Sequence, residues 1–353
     1  MSGTSVDGID FAFLETNGTD HVKNISGISY EYNNQYKVRV KKFIKQIKNN
    51  NSLSLNKIDL LVSRIFLHMT NKFIKEFNIN TSEVDYIGLS GQTILHKPNK
   101  KICIQLGSGI FLSKHLKINV VSNFRQNDIL NDGQGSPIGA FYHQYLLNKL
   151  NINAVFINLG GIANICYANK DRLIAFDTGP ANALIDDFMW KRMKKNYDEN
   201  GNLSFKGKLD EILLNEFLND EYFKKNYPKS LDREYFNLFL QKTEKLSNED
   251  AVHTLSMMTV HSIKKGIDLL GQKIDRIILT GGGRKNLFIF NRLKKITNLD
   301  IINIDDLGLN GDLLEAEAFG YLAIRSIKKL PISLNTTTGV KKPITGGILY
   351  KVN

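Results

Sequence analysis

The segment MSGTSVDGID at residues 1–10 contains residue types that could bind a phosphate group. It combines glycines, hydroxyl side chains and two carboxylates, with almost no bulky side chains. Such a loop can surround a phosphate with backbone N–H donors and leave its carboxylates for a hydrated Mg²⁺. The pair Asp7-Gly8 is also typical of a plain hairpin turn. The segment alone therefore leaves a phosphate loop and a ligand-free hairpin equally open.

Two further glycine groups follow apolar runs that resemble strands. The pair at residues 160–161 separates NAVFINL from IANI, and the triplet at residues 281–283 follows RIILT. Glycine allows the backbone to approach a flat or charged ligand such as a nucleotide. A hairpin or a strand-to-helix turn without a ligand is the alternative for each group.

The segment AFDTGPANALIDDF at residues 175–188 offers a candidate catalytic carboxylate. We expect a strand to end at Phe176, with Asp177 at its carboxyl end and Pro180 at the first position of the following helix. A carboxylate at the end of a strand is well placed to act as a general base. Capping of the helix by Asp177 or Thr178 is the alternative interpretation.

The elements that must position these segments alternate along the chain. Short runs rich in β-branched and aromatic residues, such as IDFAFLE, INVVS and RLIAF, end in glycine or polar loops. Between them, Leu55–Phe77, His253–Leu270 and Gly311–Ile327 repeat apolar residues at steps of three and four, which predicts helices. The polar and aromatic stretch from Asp198 to Asn248 predicts short helices at a domain edge. Alternating strands and helices indicate an α/β fold with ligands at strand ends.

Length and composition exclude several classes of protein. The 353 residues exceed the usual size of one compact core, which predicts two domains. No apolar run approaches the ~20 residues of a membrane helix and no signal pattern opens the chain, so we expect a cytoplasmic protein without a membrane partner. The net charge of +12 comes from lysines at helical spacing, which favours solvated helix faces over nucleic-acid binding.

No metal site of the protein's own is predicted. Cys103 and Cys166 lie far apart and predict reduced core residues, and the seven histidines do not cluster. The sequence also lacks the P-loop, the Rossmann fingerprint, the nucleophile elbow and the H-E-x-x-H motif.

Ten segments, in a fixed order, resemble the anhydro-N-acetylmuramic acid kinases, a family of bacterial enzymes of cell-wall recycling. They are MSGTSVDGID, GQTILHKP, IQLG, NFRQNDI, DGQGSPIGA, NLGGIANI, FDTGPANALID, TGGGRKN, EAEAFGYLA and TTGVKKPITGGILY. The resemblance covers nearly the whole chain, and chance matches would not keep the family's order. It implies a two-lobed actin-like ATPase fold of the ribonuclease H-like type, with a nucleotide cleft between the lobes.

The resemblance implies a kinase reaction on a sugar that carries an internal 1,6-anhydro bridge. Water attacks the anomeric carbon as the bridge opens, and the released O6 takes the γ-phosphoryl group of ATP. The products are N-acetylmuramic acid 6-phosphate and ADP. Asp177 falls on the family's catalytic aspartate and would take a proton from the water. ATP and Mg²⁺ are the expected cofactors, because phosphoryl transfer depends on positioning and charge neutralisation.

Binding residues follow from the same motifs. The ATP phosphates and the nucleotide are expected against Gly3, Thr4, Ser5, Val6, Asp7, Gly8, Ile9, Asp10, Gly160, Gly161, Gly281, Gly282 and Gly283. The sugar is expected against Gln92, Thr93, Arg125 and Glu315. Arg125 would hold the lactyl carboxylate in a bidentate pair. A structural ion pair for Arg125 and a solvated surface position for Glu315 are the alternatives.

Three residues depart from the family pattern near the expected sugar site. Ser90 replaces the usual His, Ser108 the usual Asp, and Asn123 the usual Asp. Each change removes a charge or an imidazole, which leaves open a kinase of the same fold that acts on another sugar. A non-catalytic nucleotide-binding protein is a second alternative, favoured by the shortened start of the chain and disfavoured by the presence of Asp177.

The division into lobes and the start of the chain are also expectations from the resemblance. The first lobe would comprise residues 1–128 and 329–353, the second lobe residues 129–328, and two copies would form a homodimer. In the family a strand precedes the phosphate loop, whereas only Met1 and Ser2 precede Gly3 here. We therefore expect the true start to lie upstream of Met1, since an absent central strand would leave its neighbour's hydrogen bonds unpaired.

Overall fold

Strands and helices alternate as the sequence predicts. The computed structural model describes residues 1–3, 6–48, 55–169 and 172–352. The chain divides into a first unit, Met1–Tyr145 with Asp312–Asn353, and a second unit, Leu146–Gly311. Within the described ranges, no helix is both long and apolar enough to cross a bilayer.

The described strands of the first unit form three small sheets. Its strands are β1 Gly8–Thr16, β2 Val22–Glu31, β3 Tyr86–Gly88, β4 Gln92–Lys97, β5 Ile102–Leu106, β6 Asn119–Ser122 and, from the carboxyl-terminal segment, β12 Ile348–Tyr350. β1 pairs with β2 and β4 pairs with β5, both antiparallel, while β6 lies between β3 and β12. Its helices are α1 Asn34–Lys48, α2 Leu55–Glu76, α3 Gly109–Leu116, α4 Gln126–Leu130 and α11 Leu314–Ile327, together with the first half of α5 Ala140–Leu150, which continues into the second unit.

The second unit is built on one five-stranded sheet. Its strands are β7 Ala154–Leu159, β8 Ile162–Ala168, β9 Leu173–Pro180, β10 Arg276–Thr280 and β11 Asp300–Asn303, in the order β11-β10-β7-β8-β9. β8 is antiparallel to both of its neighbours, β7 and β9, whereas β10 pairs parallel with β7 and with β11. Its helices are α6 Asn182–Phe188, α7 Glu211–Leu218, α8 Asn237–Lys242, α9 Asn248–Leu270 and α10 Leu287–Thr297.

The core of the second unit explains why its central strands are apolar along their whole length. Val155 and Ile157 of β7 and Ile277 and Leu279 of β10 are fully buried. Parallel strands covered by helices on both faces bury every side chain, so they show no polar alternation. The long helix α9 supplies one of these layers and contributes thirteen buried residues to the unit. This core holds the strand ends in fixed positions.

The unit boundaries differ from the predicted lobe boundaries at 128/129 and 328/329. The first half of α5 and all of α11 belong to the first unit. The Tyr142 hydroxyl of α5 donates to Glu317 of α11 at 2.6 Å, and the Tyr142 and Tyr321 rings lie 5.5 Å apart. The two helices are remote in sequence, so only their packing assigns them to one unit.

The cysteines agree with the prediction of reduced side chains. Cys166 is buried in β8 and Cys103 is half-buried in β5, and both are free. Burial raises the pKa of both thiols. The thiol form therefore prevails at neutral pH, which disfavours metal binding and redox chemistry by these residues.

Candidate active site

The candidate base Asp177 lies inside β9 rather than at its end. β9 continues to Pro180, which pairs with Ile162 of β8, and α6 begins only at Asn182. The prediction that Pro180 starts the helix is therefore wrong, because pairing with β8 extends the strand. The residue before α6 is Ala181, which makes no side-chain cap, so neither Asp177 nor Thr178 caps this helix.

A bulge in β9 coincides with the position of Asp177. Asp177 pairs with Asn164 and Gly179 pairs with Ala163, so Thr178 is an extra residue on β9. The Thr178 hydroxyl donates to the main-chain carbonyl of Ala163 at 3.3 Å. A bulge redirects the neighbouring side chains and is common next to active sites. Asp177 is 5% exposed at this irregularity.

The segment Tyr222–Leu231 fixes Asp177 from the open edge of the sheet. The Asp177 N–H donates to the carbonyl of Lys229 at 2.9 Å, and the Tyr222 hydroxyl donates to the Asp177 carbonyl at 2.5 Å. The main-chain N–H of Leu231 donates to Oδ2 of Asp177 at 2.8 Å. Such a hydrogen bond stabilises the ionised carboxylate that a general base requires. Sequence reasoning missed this segment, since no motif marks it.

Tyr222 and Lys229 of the Tyr222–Leu231 segment both have shifted pKa values and both donate hydrogen bonds. Burial, together with the negative charge of Asp177, raises the pKa of Tyr222 far above the ordinary value, so its hydroxyl stays protonated. Burial, together with the positive charges of Lys225 and Lys265, lowers the pKa of Lys229 to about 8. The Lys229 ammonium donates to the carbonyls of Tyr222 and Lys225. Hydrogen bonds within the Tyr222–Leu231 segment therefore stabilise its conformation.

The two glycine turns of the second unit lie side by side. Thr280 at the end of β10 pairs with Asn158 near the end of β7, and the turns follow these strands. The carbonyl of Gly160 accepts from the main-chain N–H of Asn182 at 3.0 Å, so the first turn is tied to the start of α6. The strand order therefore brings residues 160–161 and 281–283 together. Their contact with a nucleotide stays a prediction.

Gly281 adopts a conformation that only glycine tolerates. Its φ is +73° with ψ 171°, and a Cβ there would lie 2.3 Å from Oδ1 of Asn158. Arg284, which is 2% exposed, donates to both carboxylate oxygens of Asp305 and to the Gly281 carbonyl. Arg284 is therefore a buried structural residue that closes the turn.

In the first unit, the described parts of MSGTSVDGID are residues 1–3 and 6–10, and Thr4 and Ser5 lie outside the described residues. Main-chain groups of Met1 and Asp10 bond to each other in both directions, at 2.6 and 2.8 Å. Val6 is fully buried at a φ of +56°, which is strained for a β-branched residue. Ile9 is also buried. The side chains of Val6 and Ile9 are therefore inaccessible, and only their main-chain groups could contact a ligand.

Gln92 supports the segment MSGTSVDGID from β4. Its side chain is fully buried, its Oε1 accepts from the Ser2 hydroxyl at 2.6 Å, and its Nε2 donates to the Gly3 carbonyl at 2.7 Å. Both ends of the amide therefore bind the segment MSGTSVDGID. Thr93 is half-buried and its hydroxyl accepts from Gln105 at 3.1 Å. Direct contact of Gln92 and Thr93 with a sugar stays a prediction.

Arg125 makes no ion pair within the described ranges. Its Nη1 donates to the carbonyl of Gly135 at 2.6 Å, and its Nε is buried without a hydrogen-bond partner among the described residues. An unpaired buried donor costs roughly 1–3 kcal/mol, so a ligand acceptor would stabilise it. The alternative of a structural ion pair for Arg125 is therefore not seen within the described residues, and the contact of Arg125 with a sugar stays a prediction.

Glu315 lies in the first turn of α11 with an exposed side chain. The buried carboxylate of this helix is Glu317, which is 3% exposed and accepts from Tyr142 at 2.6 Å and from Asn24 at 2.8 Å. Exposure leaves Glu315 accessible to a ligand, and its role in sugar binding stays a prediction.

Comparison with known proteins assigns the family. A family model described as anhydro-N-acetylmuramic acid kinase matches residues 1–352. A protein of that name from Zymomonas mobilis is 34% identical over 361 aligned residues, which cover 100% of this chain and 98% of the relative. Another of that name, from Pelagibacter ubique, is 37% identical and covers 99% of this chain and 97% of the relative. The chain belongs to the anhydro-N-acetylmuramic acid kinase family.

Solved structures similar to this family member are much more distant. The ethanolamine utilization protein EutJ from Carboxydothermus hydrogenoformans is 10% identical, with 90% of this chain and 87% of that chain covered and a TM-score of 0.45. A xylulose kinase from Lactobacillus acidophilus is 12% identical, with 80% and 56% covered and a TM-score of 0.35. The family assignment rests on the sequence relatives. The α/β architecture in two units agrees with the actin-like ATPase fold expected for the family.

The three departures from the kinase family pattern have local structural roles. Ser108 accepts from the main-chain N–H of Phe111 and caps α3, and Ser and Asp are similarly good caps. Asn123 has a φ of +58°, which Asn tolerates well, and donates to the Tyr350 hydroxyl at 3.0 Å. The Ser90 hydroxyl accepts from the main-chain N–H of Ser2. Within the described ranges, no hydrogen bond of these residues involves Arg125.

Replacement of Tyr222 by phenylalanine tests the support of Asp177 in this kinase family member. The variant loses one buried hydrogen bond to the Asp177 main chain, worth about 1 kcal/mol. We expect kcat to fall roughly five- to tenfold, with KM for ATP changed less than twofold. Steady-state kinetics measures both. Tyr235→Phe is the control, because that hydroxyl donates instead to Asp220, in a solvent-exposed hydrogen bond. Equal losses in the two variants would contradict the support role.

Proposed function

We propose that this chain is an ATP-dependent kinase that opens 1,6-anhydro-N-acetylmuramic acid and phosphorylates its O6, within cell-wall recycling. Family membership over residues 1–352 carries the proposal. A buried aspartate at the family's catalytic position, with its carboxylate bonded to a main-chain N–H, supports it. The products are N-acetylmuramic acid 6-phosphate and ADP.

Asp177 acts as the general base in this reaction. Its carboxylate takes a proton from water as the water oxygen forms a bond to the anomeric carbon. The bond from that carbon to O6 breaks, and O6 attacks the γ-phosphorus while ADP leaves. The hydrogen bond from Leu231 holds the carboxylate by one oxygen, Oδ2, at 2.8 Å. A positioned base of this kind contributes roughly 10²–10⁴-fold to the rate.

Glycine turns bind the nucleotide in this proposal. Gly160, Gly161, Gly281, Gly282 and Gly283 lie at adjacent strand ends, where their main chains can approach a nucleotide. The family resemblance assigns the segment MSGTSVDGID to the ATP phosphates, and Gln92 binds this segment at Ser2 and Gly3. Main-chain N–H groups stabilise phosphate charge without side-chain rearrangement.

Mg²⁺ fits the carboxylates of the first unit. Burial raises the pKa of the Asp10 carboxyl, and a hydrogen bond from Ser29 offsets part of this. The negative charges of Asp7 and Asp312 raise the pKa further, and a divalent cation would relieve this repulsion. Mg²⁺ in kinases usually takes one or two carboxylates, with phosphates and water as the other ligands. We propose that Asp7 and Asp10 hold the hydrated ion, which neutralises phosphate charge.

Arg125 binds the lactyl carboxylate of the sugar. Its Nη1 is fixed by the Gly135 carbonyl, and this leaves Nε and Nη2 on one edge of the guanidinium as two parallel donors. Such an edge matches the two oxygens of a carboxylate. The charge of Arg125 is not neutralised by an ion pair within the described ranges. The group is therefore available for an anionic substrate.

Arg125→Lys tests this carboxylate clamp. Lysine keeps the charge and loses the bidentate edge. We expect KM for 1,6-anhydro-N-acetylmuramic acid to rise roughly 10- to 100-fold, in line with the loss of about 1.4–3 kcal/mol in a charged hydrogen-bonded pair. The inhibition constant of 1,6-anhydro-N-acetylglucosamine, which lacks the lactyl group, is expected to change less than threefold. A parallel loss for both sugars would exclude a carboxylate-specific role.

One assay separates the kinase from its alternatives. The protein is incubated with ATP, Mg²⁺ and 1,6-anhydro-N-acetylmuramic acid, and the products are resolved by mass spectrometry. A phosphorylated, ring-opened sugar with stoichiometric ADP is expected. Turnover of N-acetylglucosamine but not of the anhydro sugar would identify a kinase for another sugar. ATP binding without turnover of either sugar would identify a non-catalytic nucleotide-binding protein.

We further propose a homodimer located in the cytoplasm. The homodimer follows from the family resemblance, and the cytoplasmic location fits an enzyme whose substrate is ATP. Light scattering coupled to gel filtration measures the mass in solution. A mass of twice the 40.0 kDa chain is expected, and a monomer at micromolar concentration would refute the dimer.

A further inference from the structure

The turn Gly133–Gly135 carries the carbonyl group that orients Arg125. Within the described ranges, the Arg125 guanidinium donates a hydrogen bond only to Gly135. Hydrogen bonds to Asp128, Thr338 and His96 fix this turn. The main-chain N–H of Gly135 donates to Oδ1 of Asp128 at 2.5 Å, and that of Gly133 donates to the Asp128 carbonyl at 2.9 Å. Gln134 donates to the Thr338 carbonyl at 2.7 Å, and its own carbonyl lies 2.9 Å from Nε2 of His96.

Asp128 and Thr338 form the buried centre of this arrangement. Asp128 is 1% exposed and Thr338 is fully buried. The Thr338 hydroxyl donates to Oδ2 of Asp128 at 2.5 Å, while Oδ1 accepts from Gly135. Hydrogen bonds to a buried carboxylate are strong, and removing one leaves an oxygen that water cannot reach. The two side chains therefore determine where the Gly135 carbonyl points.

The arrangement also keeps the charge of Arg125 available. Asp128 stands three residues after Arg125, yet its two carboxylate oxygens bind Gly135 and Thr338. Arg125 is oriented by a neutral carbonyl at 2.6 Å instead. A guanidinium paired with a carboxylate would attract an anionic ligand much less, whereas one held by a carbonyl keeps its full charge.

We infer that Asp128 and Thr338 are positioning residues that determine selectivity for a carboxylate-bearing sugar. They fix the Gly133–Gly135 turn, and the turn orients the Nε–Nη2 edge of Arg125 toward the substrate carboxylate. The inference rests on the clamp role of Arg125 in the proposed function. It assigns a role to the carboxyl-terminal segment TTGVKKP, which has no contact role in the proposed reaction itself.

Thr338→Val tests the inference, because valine keeps the shape and removes the hydroxyl. We expect KM for 1,6-anhydro-N-acetylmuramic acid to rise about tenfold, a loss of about 1.4 kcal/mol. KM for ATP and kcat are expected to change less than threefold. The inhibition constant of 1,6-anhydro-N-acetylglucosamine is expected to stay within twofold, so the preference for the muramic sugar falls. Thr338→Ser, which keeps the hydroxyl, is expected to retain most of this preference.

Thr337→Val is the matched control. Thr337 is 1% exposed, but its hydroxyl bonds to Leu334 rather than to Asp128. It should leave the preference between the two sugars unchanged. An unchanged KM for the muramic sugar in Thr338→Val, or equal losses for both sugars, would overturn the inference. If Arg125→Lys also leaves the preference unchanged, the clamp itself fails. If only Arg125→Lys reduces it, the clamp stands and the positioning role fails.

Discussion

Asp177→Asn is expected to reduce turnover of the anhydro sugar by roughly 10²–10⁴-fold, the contribution of a general base. Asparagine has nearly the same shape, and its carbonyl oxygen can accept from the Leu231 N–H as Oδ2 does now. The main-chain bonds to Tyr222 and Lys229 do not involve the side chain and remain. The variant therefore keeps the local structure and loses the proton acceptor. Product formation is measured by coupled detection of ADP.

The affinity for ATP shows whether the loss of turnover in Asp177→Asn arises in the chemical step or from weaker nucleotide binding. Calorimetric titration should give a dissociation constant for ATP within threefold of the unmodified protein. Asp268→Asn is the control, since Asp268 is an exposed partner of Lys264 on α9, and its turnover should stay within twofold. Loss of ATP binding in Asp177→Asn, or near-normal turnover, would contradict the assignment of the base.

Gly281→Ala is expected to destabilise the second unit and to weaken nucleotide binding. The conformation at φ +73° and ψ 171° is nearly exclusive to glycine, and a Cβ would lie 2.3 Å from Asn158 and 2.9 Å from the Leu159 carbonyl. Strain of this kind costs about 1–3 kcal/mol, and relief of the clash would move the turn. We expect KM for ATP to rise roughly 10- to 100-fold, and the free energy of unfolding to fall by about 3 kcal/mol.

Gly271→Ala is the control for Gly281→Ala. It shows the effect of placing alanine at a glycine of positive φ where the added Cβ causes no clash. Gly271 also has a positive φ, +60°, but it ends α9, and a Cβ added there would meet no atom within 4 Å among the described residues. The variant should lose about 1 kcal/mol of stability with an unchanged KM for ATP. Urea unfolding and ATP titration measure both quantities. Equal changes in KM for the two variants would refute the special role of the turn at residues 281–283.

The candidate site was predictable where its residues carry local signals. The helices Leu55–Phe77 and His253–Leu270 follow from apolar spacing, and the structure confirms α2 at Leu55–Glu76 and α9 at Asn248–Leu270. The glycine turns follow apolar strands and Asp177 stands in the short motif FDTGPANALID, so both could be recognised without knowledge of tertiary contacts. Glycine and periodicity signals act within about ten residues, which is why these parts could be predicted without knowledge of the packing.

The sequence by itself therefore determined the family, the α/β alternation, the glycine turns and the candidate base. Only the tertiary structure decided which distant residues support these features. The support of Asp177 comes from Tyr222 and Leu231, 45 and 54 residues away, and the Asp128–Thr338 bond spans 210 residues. Pro180 could start a helix locally, but pairing with β8 keeps it in a strand. Contacts between distant segments leave no periodic pattern in the chain, because they depend on packing.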